Sequence, residues 1–157
     1  GQESIHNGVQ ELQKHCSDDD TVIVHDGNRC FVSAEIISDN LAVYNKCGSA
    51  VAAIPCVEAI FRSPDGVSSI ETLQREELWR TQTPHAYSLG KLIWAHQEAS
   101  KRHIVDTAAT CSLMQQLGER TFFSKGSEQN LKITTTDDLE IFQALLHTHL
   151  DRKLNEI

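Results

Sequence analysis

The sequence predicts an α/β domain with a largely parallel sheet, and three observations carry that expectation. Two short apolar runs, Val22-Ile23-Val24 and Ala50-Val51-Ala52-Ala53-Ile54, have the length and continuity of strands buried on both faces. Amphipathic helical patterns precede and separate them, joined by short polar loops. The first run passes at once into His25, Asp26, Gly27, Asn28 and Arg29. That places a polar cluster at a strand's carboxyl end, the edge of an open α/β sheet where ligands bind.

In chain order, Ile5, Val9, Leu12 and Cys16 recur at i, i+4, i+7 and i+11, one helical face with Ser4 as its N-cap. A polar loop, 17–20, leads to a strand over 21–25. Ser33 caps a second helix carrying Ile36, Ile37, Leu41 and Tyr44, and Gly48 stops it. After the strand over 50–54 the pattern breaks. Residues 57–62 alternate, Ser63-Pro64-Asp65-Gly66 is a turn, and 67–73 alternate loosely. This β-hairpin is too polar for a core and too small to stand alone, so it leans on its own domain or on a partner subunit. Residues 78–84 form a short strand entering a Pro-fixed turn. Leu89, Leu92, Ile93 and His96 mark a helix over about 88–100, with His96 as a packed residue. Asp106 or Thr107 caps the next helix, lined by Leu113, Met114 and Leu117 and ended by Gly118. A strand over 121–123 follows. A β-type segment, 130–134, then enters a Thr-capped, acid-started helix with Leu139, Phe142, Leu145 and Leu146 inward. Beyond His147 the chain turns polar (His149, Asp151, Arg152, Lys153) and reads as a fraying tail.

A length of 157 residues fits one domain with an ordinary core. A net charge of −8 argues against nucleic acid and anionic membranes as partners. No apolar run approaches the ~20 residues of a membrane span, and no signal peptide is visible. Five scattered Cys without a C-x-x-C argue against a disulfide framework and for a reducing, cytoplasmic setting. The eight His form no H-E-x-x-H and no Cys/His quartet, so no metal ligands are assigned. There is no P-loop and no G-x-G-x-x-G, so any phosphate must be held by a few local cations. Asp26 offers a carboxylate, Gly27 lets a ligand approach the backbone, and Arg29 offers a planar fork for phosphate. Lys132, just before a helix N-terminus, is placed to hold an anion. Read alone, each is also an ordinary solvated loop residue.

Four stretches, in order, resemble one family. VIVHDGNRCFVS resembles the V-x-x-H-D-x-x-R-P-F stretch of the 2-C-methyl-D-erythritol 4-phosphate cytidylyltransferases and their ribitol-5-phosphate relatives. LWRTQTPHAY resembles their LW-x-x-Q-T-P-Q-x-F motif, NLKITTTDDL their N-I-K-I-T-x-P-E-D-L motif, and GQESIHNGV their R-x-x-S-V-x-N-G stretch. The resemblance implies a Rossmann-like nucleotidyltransferase fold, a GT-A-like three-layer sandwich, with 57–73 as a protruding arm that makes a homodimer. It implies transfer of CMP from CTP to a sugar-alcohol phosphate with release of diphosphate and a divalent metal, usually Mg²⁺. It assigns Lys132 and Arg75 to the reacting and acceptor phosphates as catalytic residues. Asp26, Arg29, Thr83 and Thr134 fall on the acceptor side, and Ser4 and Gly27 on the nucleotide. Ala59 and Val105 stand where the methylerythritol enzymes carry Thr, which leaves room for another polyol phosphate.

The family's A-A-G-x-G-x-R-M-type loop, which wraps the triphosphate, has no counterpart in this sequence. Residues 1–157 are therefore expected to be the C-terminal part of a single nucleotidyltransferase domain, a fragment inactive on its own, with Gly1 at a cut or processed end. The alternative is a non-catalytic, dimerising or ligand-binding remnant of this fold that lacks the nucleotide loop.

Overall fold

The computed structural model describes residues 1–155, with side chains through residue 148. Helix α1, Gln2–Leu12, takes Gly1 as its N-cap. Ser4 therefore lies inside the helix, in its first turn, and is not the cap the sequence suggested. Val9 is buried, with Ile5 and Cys16 packed beside it. Strand β1, Thr21–Val24, leads to α2, Ala34–Cys47, where Ser33 Oγ accepts from the Ile36 N–H and Gly48 closes the helix at φ 79°. Strand β2, Ala50–Pro55, is buried over 50–54. The hairpin follows as β3, Phe61–Arg62, paired with β4, Glu71–Thr72. A 3₁₀ turn, Arg75–Glu77, delivers the chain to β5, Trp79–Ser88. Then come α3, Leu89–Lys101; α4, Thr110–Gln116; β6, Phe123–Lys125; and α5, Thr136–Asn155.

The main sheet has the order β1-β5-β2-β6. β1, β2 and β6 all run one way, as the helix–strand alternation predicts, but β5 runs against them between β1 and β2. The largely parallel sheet is thus corrected to one with two antiparallel pairs and one parallel pair. The reason is local: a hairpin joins β2 to β5, and it reverses the chain beside the strand it has just left. Pro84 does not end the strand in a turn either; β5 continues through it, with a cis Thr83–Pro84 peptide, to Ser88. Among the described residues β1 pairs only with β5, and it alternates exposed and half-buried positions instead of burying both faces.

The core lies on the α1, α3 and α4 side of the sheet. Val9, Val51, Tyr87, Leu89, Leu92, Ala95, Leu113 and Met114 meet there. His96 is buried against the His6 ring, as a packed residue. α4 starts later than Asp106 or Thr107 indicate, because Thr107 is engaged elsewhere: Gln2 Oε1 accepts from its N–H at 3.0 Å and its hydroxyl at 3.1 Å. β6 lies two residues beyond the expected 121–123. α5 departs most from expectation. Leu139 and Leu146 are exposed rather than inward, and the helical backbone continues past His147 to Asn155 where a tail was expected. The side chains of His149, Asp151, Arg152 and Lys153 lie outside the described residues.

Candidate active site

The polar cluster forms at the carboxyl end of β1, against the middle of β5. The Arg29 N–H donates to the Asp26 carbonyl at 3.0 Å, closing the 26–29 turn. Thr83 Oγ1, on the neighbouring strand, accepts the Asp26 N–H at 2.9 Å and lies 3.0 Å from His25 Nδ1. His25 Nε2 sits 3.1 Å from the Arg29 carbonyl oxygen, which can only accept. Nε2 therefore carries the proton. In the neutral ring Nδ1 accepts from the Thr83 hydroxyl, an assignment that follows from the bonding pattern. The hydroxyl is thus aimed by its neighbours, one donating to it and one accepting from it.

The segment after β6 closes the other side. Asn28 Nδ2 donates to the Ile133 carbonyl at 2.8 Å, and the Ile133 N–H returns a bond to the Asn28 carbonyl at 2.9 Å. This two-bond lock lays residues 130–133 along the loop. Arg29 Nη1 reaches the Asn130 carbonyl at 2.6 Å. Lys132 Nζ then falls 3.2 Å from Asp26 Oδ2, which also receives Arg29 Nε at 3.2 Å. Burial pushes the Asp26 carboxyl up, but the bonds and charges of Lys132 and Arg29 outweigh it and hold its pKa below the ordinary value. The result is one carboxylate between two cations, of which Lys132 is open to solvent and Arg29 largely buried. Close behind, His85 is buried in β5, and desolvation pushes its pKa down to about 4.

The structure thus gathers Asp26, Arg29, Thr83 and Lys132 into one cluster. Gly27 is at its rim, exposed, with open space where a Cβ would stand. Thr134 is nearby in sequence but committed to α5: its N–H and hydroxyl both donate to Asp138 Oδ2, while Thr135 Oγ1 accepts the Asp138 N–H. The Thr135 N–H also donates to Asp138 Oδ2 at 2.8 Å, so Thr135 and Asp138 form a capping box, and these bonds together hold the Asp138 pKa down to about 2. Ser4 lies exposed on α1, and its side chain makes no hydrogen bond among the described residues. Arg75 is also apart, at the foot of the hairpin, bonded to the Val57 carbonyl at 3.4 Å and facing Glu76. Sequence reasoning passed over Asn28, Gln82 and Asn130. Their only signal was to be polar residues inside quoted motifs, and nothing local marks which polar residues a fold will bury.

No group of three His, Cys, Asp or Glu among the described residues could hold a metal ion. Asp26 is the one carboxylate of the cluster, and two cations already compensate it. These residues do not build a metal site of their own. Among the described residues no helix is long and apolar enough to cross a membrane.

A family model described as 2-C-methyl-D-erythritol 4-phosphate cytidylyltransferase matches residues 1–148. The chain is 40% identical over 147 residues to a ribitol-5-phosphate cytidylyltransferase of Lacticaseibacillus paracasei, covering 92% of this chain and 63% of that protein. It is 35% identical over 146 residues to the 2-C-methyl-D-erythritol 4-phosphate cytidylyltransferase of Bacillus cereus, covering 93% and 62%. Among solved structures, the Francisella tularensis 2-C-methyl-D-erythritol 4-phosphate cytidylyltransferase superposes with a TM-score of 0.81 at 27% identity, over 90% of this chain and 66% of that one. The chain therefore spans a little over three fifths of the length of these curated relatives. Four ordered motifs, the fold and the family match converge: the chain belongs to the 2-C-methyl-D-erythritol 4-phosphate cytidylyltransferase family.

Proposed function

We propose that the protein carrying this chain transfers CMP from CTP to a sugar-alcohol phosphate and that the cluster around Asp26 is the acceptor side of that site. The observation that carries the proposal is the pairing of Lys132 and Arg29 across a single carboxylate at the strand end. An arriving phosphate dianion competes with Asp26 for Lys132 and finds the cation already in place. One oxygen of the acceptor phosphate attacks the α-phosphorus of CTP. The bond from that phosphorus to the bridging oxygen breaks, and diphosphate leaves with the electron pair. Mg²⁺ belongs to this proposal as a charge carried on the nucleotide phosphates, since the chain's own donors do not enclose one. Ser4 and Gly27 are assigned to the nucleotide, Thr83 and Thr134 to the acceptor, and Arg75 to the acceptor phosphate of a second subunit, all by the family resemblance.

Ribitol 5-phosphate is favoured over 2-C-methyl-D-erythritol 4-phosphate as acceptor. Ala59 and Val105 are both exposed and carry no hydroxyl where the methylerythritol enzymes have Thr, and the ribitol-5-phosphate relative is the more identical of the two compared. The arm over 57–73 is proposed as the homodimer contact, since it holds Phe61, Val67 and Ile70 in solvent. A cytoplasmic setting agrees with five cysteines that are all unpaired. The test is diphosphate release by the protein with CTP, Mg²⁺ and a panel of ribitol, methylerythritol and glycerol phosphates. Release with ribitol 5-phosphate supports the reading; binding of these phosphates without release from any would favour the non-catalytic remnant.

A further inference from the structure

We infer that Asn130 is a positioning residue of the acceptor site, a side chain that ties Thr83 on β5 to the segment bearing Lys132. The inference rests on the transfer reaction proposed above. Asn130 is fully buried, yet it packs in no apolar cluster and makes polar contacts in three directions. Its Nδ2 donates to the Thr83 carbonyl at 2.8 Å and to Gln82 Oε1 at 3.3 Å. Its main-chain carbonyl accepts Arg29 Nη1 at 2.6 Å. Its N–H donates to the Ser127 carbonyl at 3.0 Å. Gln82 in turn grips Ser127 twice, through Nε2 to the carbonyl at 2.8 Å and through Oε1 from the N–H at 3.1 Å.

These bonds give Asn130 a place in the site without contact to substrate. Thr83 is held from two sides: Asp26 and His25 fix its hydroxyl, and Asn130 fixes its carbonyl. Arg29 is likewise held at two points, Nε by Asp26 and Nη1 by Asn130. Lys132 lies two residues on from Asn130, so the amide that anchors the segment also sets where the ammonium stands. An ordinary buried Asn would stabilise the segment as a whole. This one touches Thr83 through its side chain and Arg29 through its main-chain carbonyl, reaches Asp26 through either of them, and stands two residues from Lys132. The position calls for a side-chain donor: Nδ2 faces two acceptors, and a carboxylate there would meet them with acceptors of its own.

Two variants, Asn130→Ser and Asn130→Asp, test this by steady-state kinetics in both substrates and by amide hydrogen exchange. The expected result for the proteins that fold is a fall of about 10²-fold in kcat/KM for the sugar-alcohol phosphate, because ångström-scale misplacement of positioning groups has that effect. The KM for CTP should stay within about twofold of the parent value, as binding energy on that side is untouched. Exchange at the Asp26 amide should quicken, because its acceptor is the Thr83 hydroxyl. Lower melting temperature with both KM values and Asp26 exchange unchanged would mark Asn130 as purely structural and overturn the inference. If the parent protein turns over no acceptor, the proposed function fails. The exchange measurement then still decides whether Asn130 holds Thr83, and unchanged exchange overturns the clamp.

Discussion

Lys132 Nζ stands 3.2 Å from Asp26 Oδ2, although the two residues are brought together from opposite ends of the chain. Its side chain is 44% exposed, so the pair adds little stability, about 1 kcal/mol or less for a contact so open to water. In the proposed transfer its worth is to hold a cation at the place where the acceptor phosphate arrives. Lys132→Ala in the protein that carries out transfer should lower kcat by about 10²-fold or more. Stability should move by no more than about 0.5 kcal/mol. Paired kinetic and thermal measurements check this, and a large drop in melting temperature with normal turnover would count against the role.

His85 sets an acid-side limit on stability. In the unfolded chain its imidazole takes a proton near the ordinary pKa of 6.5, whereas burial pushes the folded value down to about 4. Between those values the unfolded state binds the extra proton, so stability is full above about pH 6.5 and falls as the pH drops toward 4. His85→Gln removes this titration. Wild type should lose more melting temperature between pH 7 and pH 5 than the variant does. Asp26 does not confuse the comparison: its depressed pKa means its contribution is lost only below the ordinary carboxylate range, at more acid pH. Parallel pH dependence in the two proteins would refute the assignment.

Gly126 sits under Gln82, and a Cβ there would lie 2.7 Å from Gln82 Oε1 and 2.9 Å from the Ala53 carbonyl oxygen. The second neighbour is main chain inside the buried β2 and does not yield cheaply. Gly126→Ala should cost about 1–3 kcal/mol, the range for overpacking, and should displace Gln82 from Ser127. Urea denaturation reads the cost. A neutral result would mean the 126–130 segment moves as freely as a surface loop.

The arm should be dispensable for folding and required for association. Val67 and Ile70 are almost wholly exposed at its tip, and its turn is held internally by Asp65, which accepts from the Val67 and Ser68 N–H groups. Removing residues 58–72 is expected to give a monomer by light scattering. An unchanged dimer would move the interface elsewhere on the surface.

What could be read in advance follows the range of the signals. Ser33 and Gly48 marked both ends of α2 because capping chemistry acts within a few residues. The apolar run of β2 marked a buried strand because both its faces are covered. The similar run in β1 misled, since the same residues at a sheet edge leave half their positions open and only topology decides which applies. α4 was displaced because Thr107 bonds to Gln2, a partner at the other end of the chain that no local pattern contains. In the site, composition and spacing named Asp26, Arg29 and Lys132 as candidates and the family resemblance placed them in one site, but their meeting at one carboxylate is visible only in the structure. Asn130 and Gln82 stayed hidden because a buried amide network is defined by what surrounds it.

β1 has a practical consequence for anyone handling this polypeptide. The strand is hydrogen-bonded on one side only among the described residues, and its sequence, Thr21–Val24, carries neither charge nor proline. Such a margin accepts whatever extended segment is offered to it. In a concentrated solution of this chain the commonest candidate is another molecule of the same kind. Joining there would crowd Asp26, which follows the strand after a single residue. Turbidity should therefore rise with concentration, and Ile23→Lys, at an exposed position, is the simplest way to suppress it.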